Sequence, residues 1–380
     1  MSNFVEVFKA GQEGKNMGLS TGLPNLNRAI NGLQKKTSIG LAAAQKVGKT
    51  ALADFCFLVA PYMYMKDKGN LENIHWIYNS YEIDRVSKEF KIAALFMFKD
   101  CGIFKFEYDG VEYQMSHNYL SGRQLHFDKF GKTIGIVKMN DEHKEMLRGI
   151  YNDRIIPIFG EYYKNGQLKS PGKVTFVEKS STPTGVRNFI KHYFKQHGTE
   201  VTEKFKTQDE KGKEITKEVV VSFNEHNPDL MTVVITDHYR KMIREKGISM
   251  KDNLDKWLEY STEFVNGYNA TMINIAHSNR GVSNVDRIKF AGDTIFPTAD
   301  DVKDTGNLAE ESHILLTMFN PNDEKYNLDK HFGIDLTNNQ HPNYRSLHVA
   351  DARWVDSPVH MKLNMHGQIN YFEPFKIKPR

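Results

Sequence analysis

Cysteine is nearly absent: the 380 residues hold only Cys56 and Cys101. Two thiols exclude a disulfide-stapled scaffold, cannot complete a zinc site by themselves, and agree with a reducing cytosol. No apolar run approaches the ~20 residues that span a bilayer, and the N-terminal Met1-Ser-Asn-Phe-Val-Glu6 lacks the basic-then-apolar pattern of an export signal. A membrane protein is therefore not expected. Charge of one sign is lacking too. Lys and Arg number 51 against 47 Asp and Glu, a formal net charge of +4, so any nucleic-acid contact has to come from local patches rather than bulk charge. Apolar residues are plentiful instead, at 39% with 12% aromatic, ample for a sizeable core. The length alone suggests two or three domains, but an α/β fold with insertions holds this many residues in one.

The most informative stretch is Ala43, Ala44, Gln45, Lys46, Val47, Gly48, Lys49, Thr50 and Ala51. An apolar run (Ile39 to Ala44) precedes it and a helical pattern (Ala51 to Leu58) follows. A strand, a tight loop ending in Gly48-Lys49-Thr50, and a helix together make a phosphate cradle. Backbone N–H groups and the helix N-terminus face the anion, Lys49 reaches the terminal phosphates, and the Thr50 hydroxyl sits on Mg²⁺. Ala43 stands where the usual motif has its first glycine. The bland alternative is a Lys/Thr helix start after any buried strand; the flanking strand and helix favour a nucleotide such as ATP.

Along the rest of the chain, strands alternate with helices. Residues 1–20 read as an arm or linker, and 21–380 as one core with insertions around 101–173 and 198–227. Strands are expected at 73–79, 174–178, 230–236, 271–276 and 313–318, with an antiparallel tail from 345 to 375. Asp109-Gly110 and Asn165-Gly166 mark hairpin turns. Helices are expected at 141–151, at 182–197 and at 254–268, while the charge-dense segment 199–218 reads as an exposed hairpin or loop and 278–298 as a loop. The alternation implies a mostly parallel central sheet flanked by helices, with ligands at the carboxyl ends of its strands.

Four such ends, the phosphate cradle among them, carry candidate chemistry. Asp237, after an apolar strand, is the expected acid that holds Mg²⁺ through its water shell. Glu82, past the second strand, is placed to orient or deprotonate an attacking water; an ordinary helix N-terminal carboxylate facing the dipole explains it equally well. His277 ends the strand next to that of Asp237 and is a candidate γ-phosphate sensor, against the plainer reading of a hydrogen-bonded histidine.

The order of these motifs resembles the DnaB-like replicative helicases, which share the RecA-type motor core, and the helicase half of phage primase-helicases. The resemblance covers about 21–375. Thr21-Gly-Leu-Pro-Asn-Leu-Asn27 with Gly32-Leu-Gln34 is similar to the family's entry segment, Ala42 through Thr50 to its phosphate loop, Asn79-Ser-Tyr-Glu82 to the strand end with its catalytic glutamate, and Ser180 to Thr184 to its pre-helix turn. Thr236-Asp-His-Tyr239 occupies the magnesium-aspartate position and Ile275 to Arg280 the sensor strand. Ala299 to Gly306 resembles another family segment, and His348 to Arg353 the strand that offers an arginine finger, Arg353, to a neighbouring subunit. Asp351 stands where members usually place a Lys. No primase or collar domain is expected ahead of the core, which weakens the expectation of a freely assembling ring.

The resemblance implies a cytoplasmic ATP-dependent DNA helicase of a replication system, phage- or mobile-element-encoded and working in a bacterial host. It also implies a hexamer moving on single-stranded DNA, with a primase or helicase loader as partner. The strand would be tracked by two segments: Arg240, Lys241, Arg244 and Lys246 after Asp237, and Asn279, Arg280, Asn284, Arg287 and Lys289 after His277. Both are cationic, suited to phosphates rather than bases; their alternative is a solvated basic face. Aromatic residues there are sparse (Tyr239, Phe290), so base stacking is expected to be minor. Two rivals stay open: a RecA- or KaiC-like ATPase that remodels partners or forms filaments without unwinding, and a nucleotide-binding scaffold whose hydrolysis has decayed.

Overall fold

The computed structural model describes residues 3–12, 17–208, 212–279, 281–302 and 307–376. The apolar runs form one sheet of nine strands: β1 (Ser38–Ala43), β2 (Ile74–Ser80), β3 (Val174–Val177), β4 (Met231–Asp237), β5 (Thr271–His277), β6 (Ile314–Phe319), β7 (Tyr344–Ala352), β8 (Val359–His366) and β9 (Tyr371–Pro374). Their spatial order is β9-β8-β7-β6-β1-β5-β4-β2-β3. The strands from β3 to β6 are parallel, and β7, β8 and β9 add antiparallel at one edge. Every residue of β1 and β4 is buried, as a parallel sheet covered on both faces requires. This is the RecA-like α/β architecture.

Among the helices are α1 (Asn3–Gln12), α2 (Pro24–Ile30), α3 (49–67), α4 (Arg85–Cys101), α5 (Pro183–His197), α6 (Met250–Tyr268) and α7 (Val285–Ala291), and the helix expected at 141–151 forms at Asp141–Ile150. Strand alternation sorts side chains onto two faces. Ile39, Leu41 and Ala43 meet the apolar side of α3 and α4, whereas Ala42 and Met272 face α5 and α6. The Trp257 indole on α6, fully buried, donates to Asn274 Oδ1 on β5 at 2.8 Å. Capping residues set helix starts: Asp84 accepts from Ser87 N for α4, Thr182 from Gly185 N for α5, and Ser249 forms a capping box with Asp252 for α6. Helix α3 is not uniform, since Asp54–Val59 within it is a π-helical turn. No described helix is long and apolar enough to cross a membrane.

The segments read as insertions lie outside the nine-stranded sheet. Residues 101–173 build three small hairpins, two at the turns expected from Asp109-Gly110 and Asn165-Gly166 and a third, Leu125–Phe127 with Thr133–Ile136, which the sequence did not suggest. Asp109 and Gly110 both take positive φ, as a tight two-residue turn demands. The charged segment forms a long ribbon, Gly198–Gln208 paired with Glu214–Glu225.

Within the stretch read as an arm or linker, residues 3–12 are helical and Leu19 pairs with Leu33. One expectation needs correction. Residues 285–291, read as loop, form α7, capped by the Asn284 side chain; Ile288 and Ala291 of this helix pack on the small cluster of Val282, Ile295, Phe319 and Tyr326.

Candidate nucleotide site

The parallel topology places β1 between β5 and β6, so three strand ends open onto the loop 44–48. Register is tight there: Ala43 pairs with His277 on one side and Met318 on the other. Ala43 is the last strand residue and wholly buried. It sits in extended backbone rather than in the turn, which is why alanine serves where a glycine is usual. Gly48 is different. Its φ is +116°, which disfavours any side chain, and a Cβ there would lie 2.5 Å from Met365 Sδ on β8, so the flexible Met365 side chain would have to move as well. The N-terminus of α3 follows at once, its free N–H groups facing the loop.

Lys49 points back over this loop. Its ammonium donates to the Ala44 carbonyl at 3.1 Å and lies 2.8 Å from His277 Nδ1. Burial, opposed by the charges of Asp237 and Glu82, pushes its pKa down from 10.5 to about 8. His277 is shifted below 6.5, first by burial and then by the Lys49 charge. The His277 shift makes the imidazole neutral, and below about pH 8 it accepts from the Lys49 ammonium.

Asp237 ends β4 and is 1% exposed. Burial raises its pKa, while Lys88 and a hydrogen bond from Thr50 favour the charged form. Its Oδ2 is buried without a hydrogen-bond partner. An orphaned carboxylate oxygen beside a threonine hydroxyl is the hard-oxygen environment that Mg²⁺ takes, with water completing its shell, so the residues fit that ion. Glu82 lies in the exposed turn after β2, which is joined to β4 by the bond from Tyr81 N to the Asp237 carbonyl, 2.8 Å.

His238 has no role of its own in the sequence pattern beyond its place in Thr236-Asp-His-Tyr239. It is 3% exposed, edge-on to His277 at 4.3 Å between centroids, and kept neutral by burial at a pKa of about 3. Ligand atoms of Glu82, His238 and His277 lie within 4.8 Å of one another. Such a nitrogen-rich set suits transition metals more than Mg²⁺, and the Lys49 ammonium already occupies His277 Nδ1.

The remaining candidates are spread more widely. Arg353 follows β7, which runs antiparallel to β6, and its N–H bonds the His313 carbonyl. From His313 to Met318, the level of Ala43, is five strand residues, roughly 16 Å at ~3.3 Å each. Arg353 therefore sits at the opposite end of the sheet from the chain's own cradle, exposed, with Nη2 donating to the Glu310 carbonyl at 2.6 Å. Asp351 is exposed beside it, across from Leu315.

Arg240 and Lys241 lie in the turn Tyr239–Lys241, exposed, and the Arg240 charge is felt at His277. Arg244 and Lys246 are exposed just beyond. The backbone here is tied to the pre-helix turn: Ser180 Oγ donates to the Lys241 carbonyl and Ile243 N to Ser181 O. In the second segment, Lys289 is exposed, but Arg287 is not available. Its guanidinium spans both Asp301 oxygens at 2.7 and 2.8 Å and the Phe296 carbonyl, so it fastens the loop instead of offering charge outward. Arg280 lies outside the described residues, as do 303–306 of the motif beginning at Ala299. Tyr239 is fully buried, leaving Phe290, 95% exposed on α7, as the aromatic that solvent reaches.

A groove of about 960 Å³ between α4 and the 101–173 segment is lined by Phe90, Leu120, Val137 and Leu147 among others. Its lining is mostly apolar, with Glu89, Lys138, Lys144, Arg148 and Asn152 also on it, and includes none of the strand-end residues above.

A proton-linkage experiment follows from Lys49. Phosphate charge strengthens its hold on the proton, so ATP binding near and above about pH 8 should take up protons. Calorimetry in buffers of different ionisation enthalpy should detect the uptake, and Lys49→Met should abolish it. The same lowering makes the nucleotide-free chain gain stability between about pH 8 and 10.5, where the unfolded lysine keeps a proton the folded one has released.

No protein-family model and no curated protein matches the chain in sequence. Solved structures do match in shape. The ATPase domain of G40P superposes with a TM-score of 0.57 at 12% identity, covering 98% of this chain and 97% of that one. A DnaB-like replicative helicase, solved for its interactions with primase, superposes with a TM-score of 0.62 at 12% identity, covering 99% of this chain and 68% of that one. The chain has the fold of DnaB-like replicative helicase ATPase domains.

Proposed function

We propose that the chain is an Mg²⁺-dependent ATPase that drives a DNA helicase motor, moving on single-stranded DNA as a ring of identical subunits. The observation that carries this reading is the 2.8 Å contact between Lys49 and His277. It ties the phosphate cradle to the strand that leads on to α7 and its exposed Lys289, so a change at the γ-phosphate has a direct mechanical route outward. Loop 44–48 and Lys49 bind the phosphates. Thr50 and Asp237 would hold Mg²⁺, which would supply positive charge against the phosphates. Glu82 orients water and receives its proton. Arg240, Lys241, Arg244 and Lys289 track DNA phosphates; Arg287, committed to Asp301, is left out of that set. Arg353 completes the pocket of the next subunit.

Hexamer as the ring size, a phage-encoded source, the cytoplasm of a bacterial host, and a primase or loader as partner all belong to this proposal. The likeness to a DnaB-like helicase whose structure concerns primase interactions supports the partner; ring size, source and compartment rest on the resemblance of motifs alone. Two measurements test it. ATP hydrolysis should rise on addition of single-stranded DNA and vanish in Lys49→Ala. A forked duplex should be unwound by the wild-type chain in the presence of ATP. Stimulated hydrolysis without strand displacement would turn the reading to a RecA- or KaiC-like remodelling ATPase, and no phosphate release at all would turn it to a scaffold.

A further inference from the structure

A buried charged triad lies behind the cradle, unused by the proposed reaction. Asp54 is 1% exposed and Lys88 0%. The Lys88 ammonium lies 2.9 and 3.0 Å from the two Asp54 oxygens and donates to the Tyr78 hydroxyl at 2.8 Å. That hydroxyl donates in turn to Asp54 Oδ1, also at 2.8 Å. The Lys88 ammonium additionally sits 4.4 Å from the Tyr78 ring centroid. Every polar end in the triad is thus satisfied internally.

A desolvated ion pair is a poor source of stability, because well-packed apolar residues of similar volume do as well or better. Its position offers a better account. Asp54 is one turn beyond Lys49 and Thr50 on α3 and opens the π-helical turn Asp54–Val59, a distortion that recurs at functional sites. Lys88 is in the second turn of α4, directly after the turn carrying Glu82, with its N–H on the Asp84 carbonyl. Tyr78 is on β2, opposite Ile235 of β4 and two residues from the Ser80 level at which Asp237 pairs. The Lys88 charge favours the ionised form of Asp237, and the Asp237 carboxylate acts in turn on the Tyr78 hydroxyl. The triad joins the cradle helix to the strand and the helix on either side of the glutamate turn, next to the aspartate strand.

The geometry points to Lys88 and Tyr78 as positioning residues that, with Asp54, fix the Glu82 turn and the Asp237 carboxylate relative to the cradle helix. This inference rests on the hydrolysis proposed above. Lys88 touches neither substrate nor metal; it holds the groups that do.

The test is the double variant Asp54→Leu/Lys88→Met in the full chain, which removes both charges together at similar volume. It should fold, melting near the wild type, and bind a non-hydrolysable ATP analogue with unchanged affinity. Its kcat should fall about 10–100-fold, the scale of a small misplacement of catalytic groups, with KM little changed and with the Mg²⁺ concentration for half-maximal activity raised several-fold. Tyr78→Phe should reproduce the pattern more weakly, and it carries the test should the double variant not fold. A folded variant with wild-type kcat and Mg²⁺ dependence overturns the inference, as does a uniform loss of analogue binding and activity, which would mark the triad as structural only. An inactive wild-type chain would bring down the hydrolysis reading itself and this inference with it, a result distinct from an active wild type matched by its variant.

Discussion

Arg353→Ala should lower DNA-stimulated ATP turnover by about 10³–10⁵-fold, the range seen when an arginine that stabilises phosphoryl-transfer charge is lost. ATP binding should persist, because Arg353 lies at the far end of the sheet from the cradle of its own chain. The decisive version mixes two inactive chains. An Arg353→Ala subunit keeps an intact pocket but offers no finger; a Glu82→Gln subunit keeps the finger but has a dead pocket. Equal mixing in a head-to-tail ring should make about a quarter of interfaces competent. Phosphate release should therefore reappear on mixing, and its absence at every ratio would remove the in-trans role. Arg353 would then be a surface residue held by the Glu310 carbonyl.

The second large effect is expected for Glu82→Gln alone. A positioned general base contributes typically ~10²–10⁴-fold, so kcat should fall by about that factor while ATP and DNA affinities hold. Glutamine keeps the shape and a hydrogen-bonding oxygen but cannot take the proton. The exposed turn allows the substitution without a folding cost, which makes single-turnover phosphate release a clean measurement. A variant with near wild-type rate would return Glu82 to the role of a helix N-terminal carboxylate and move attention to His238 and His277, whose ligand atoms share its space.

Much of this architecture was legible in the sequence. Parallel strands buried on both faces appear as unbroken apolar runs, so β1, β4 and β5 could be found, and their ends named Asp237 and His277. The adjacency of Ala43 and His277 is another matter: it is a property of strand order, which no local pattern encodes. The Asp54–Lys88–Tyr78 triad stayed hidden for a related reason. Periodicity discounts charged residues inside apolar phases, yet Asp54 lies in the run 51–59 and Lys88 shares a face with Ile92 and Leu95. A charge in such a phase was the available signal. Helix α7 was missed because seven residues with Asp, Arg and Lys carry little apolar period, and only the Ile288 and Ala291 anchors reveal it. Arg287 looked like one more free cation, since its partner Asp301 lies 14 positions away across a loop. Residue type announces charge; only the fold decides whether that charge is already spent.

The separation of Arg353 from its own pocket also has a genetic consequence. In a ring built head to tail, every subunit would serve two reaction chambers, one that it owns and one that it finishes for a neighbour. An allele lacking the arginine would then poison assemblies that also contain normal copies, and its phenotype in a cell holding both genes would be dominant rather than recessive.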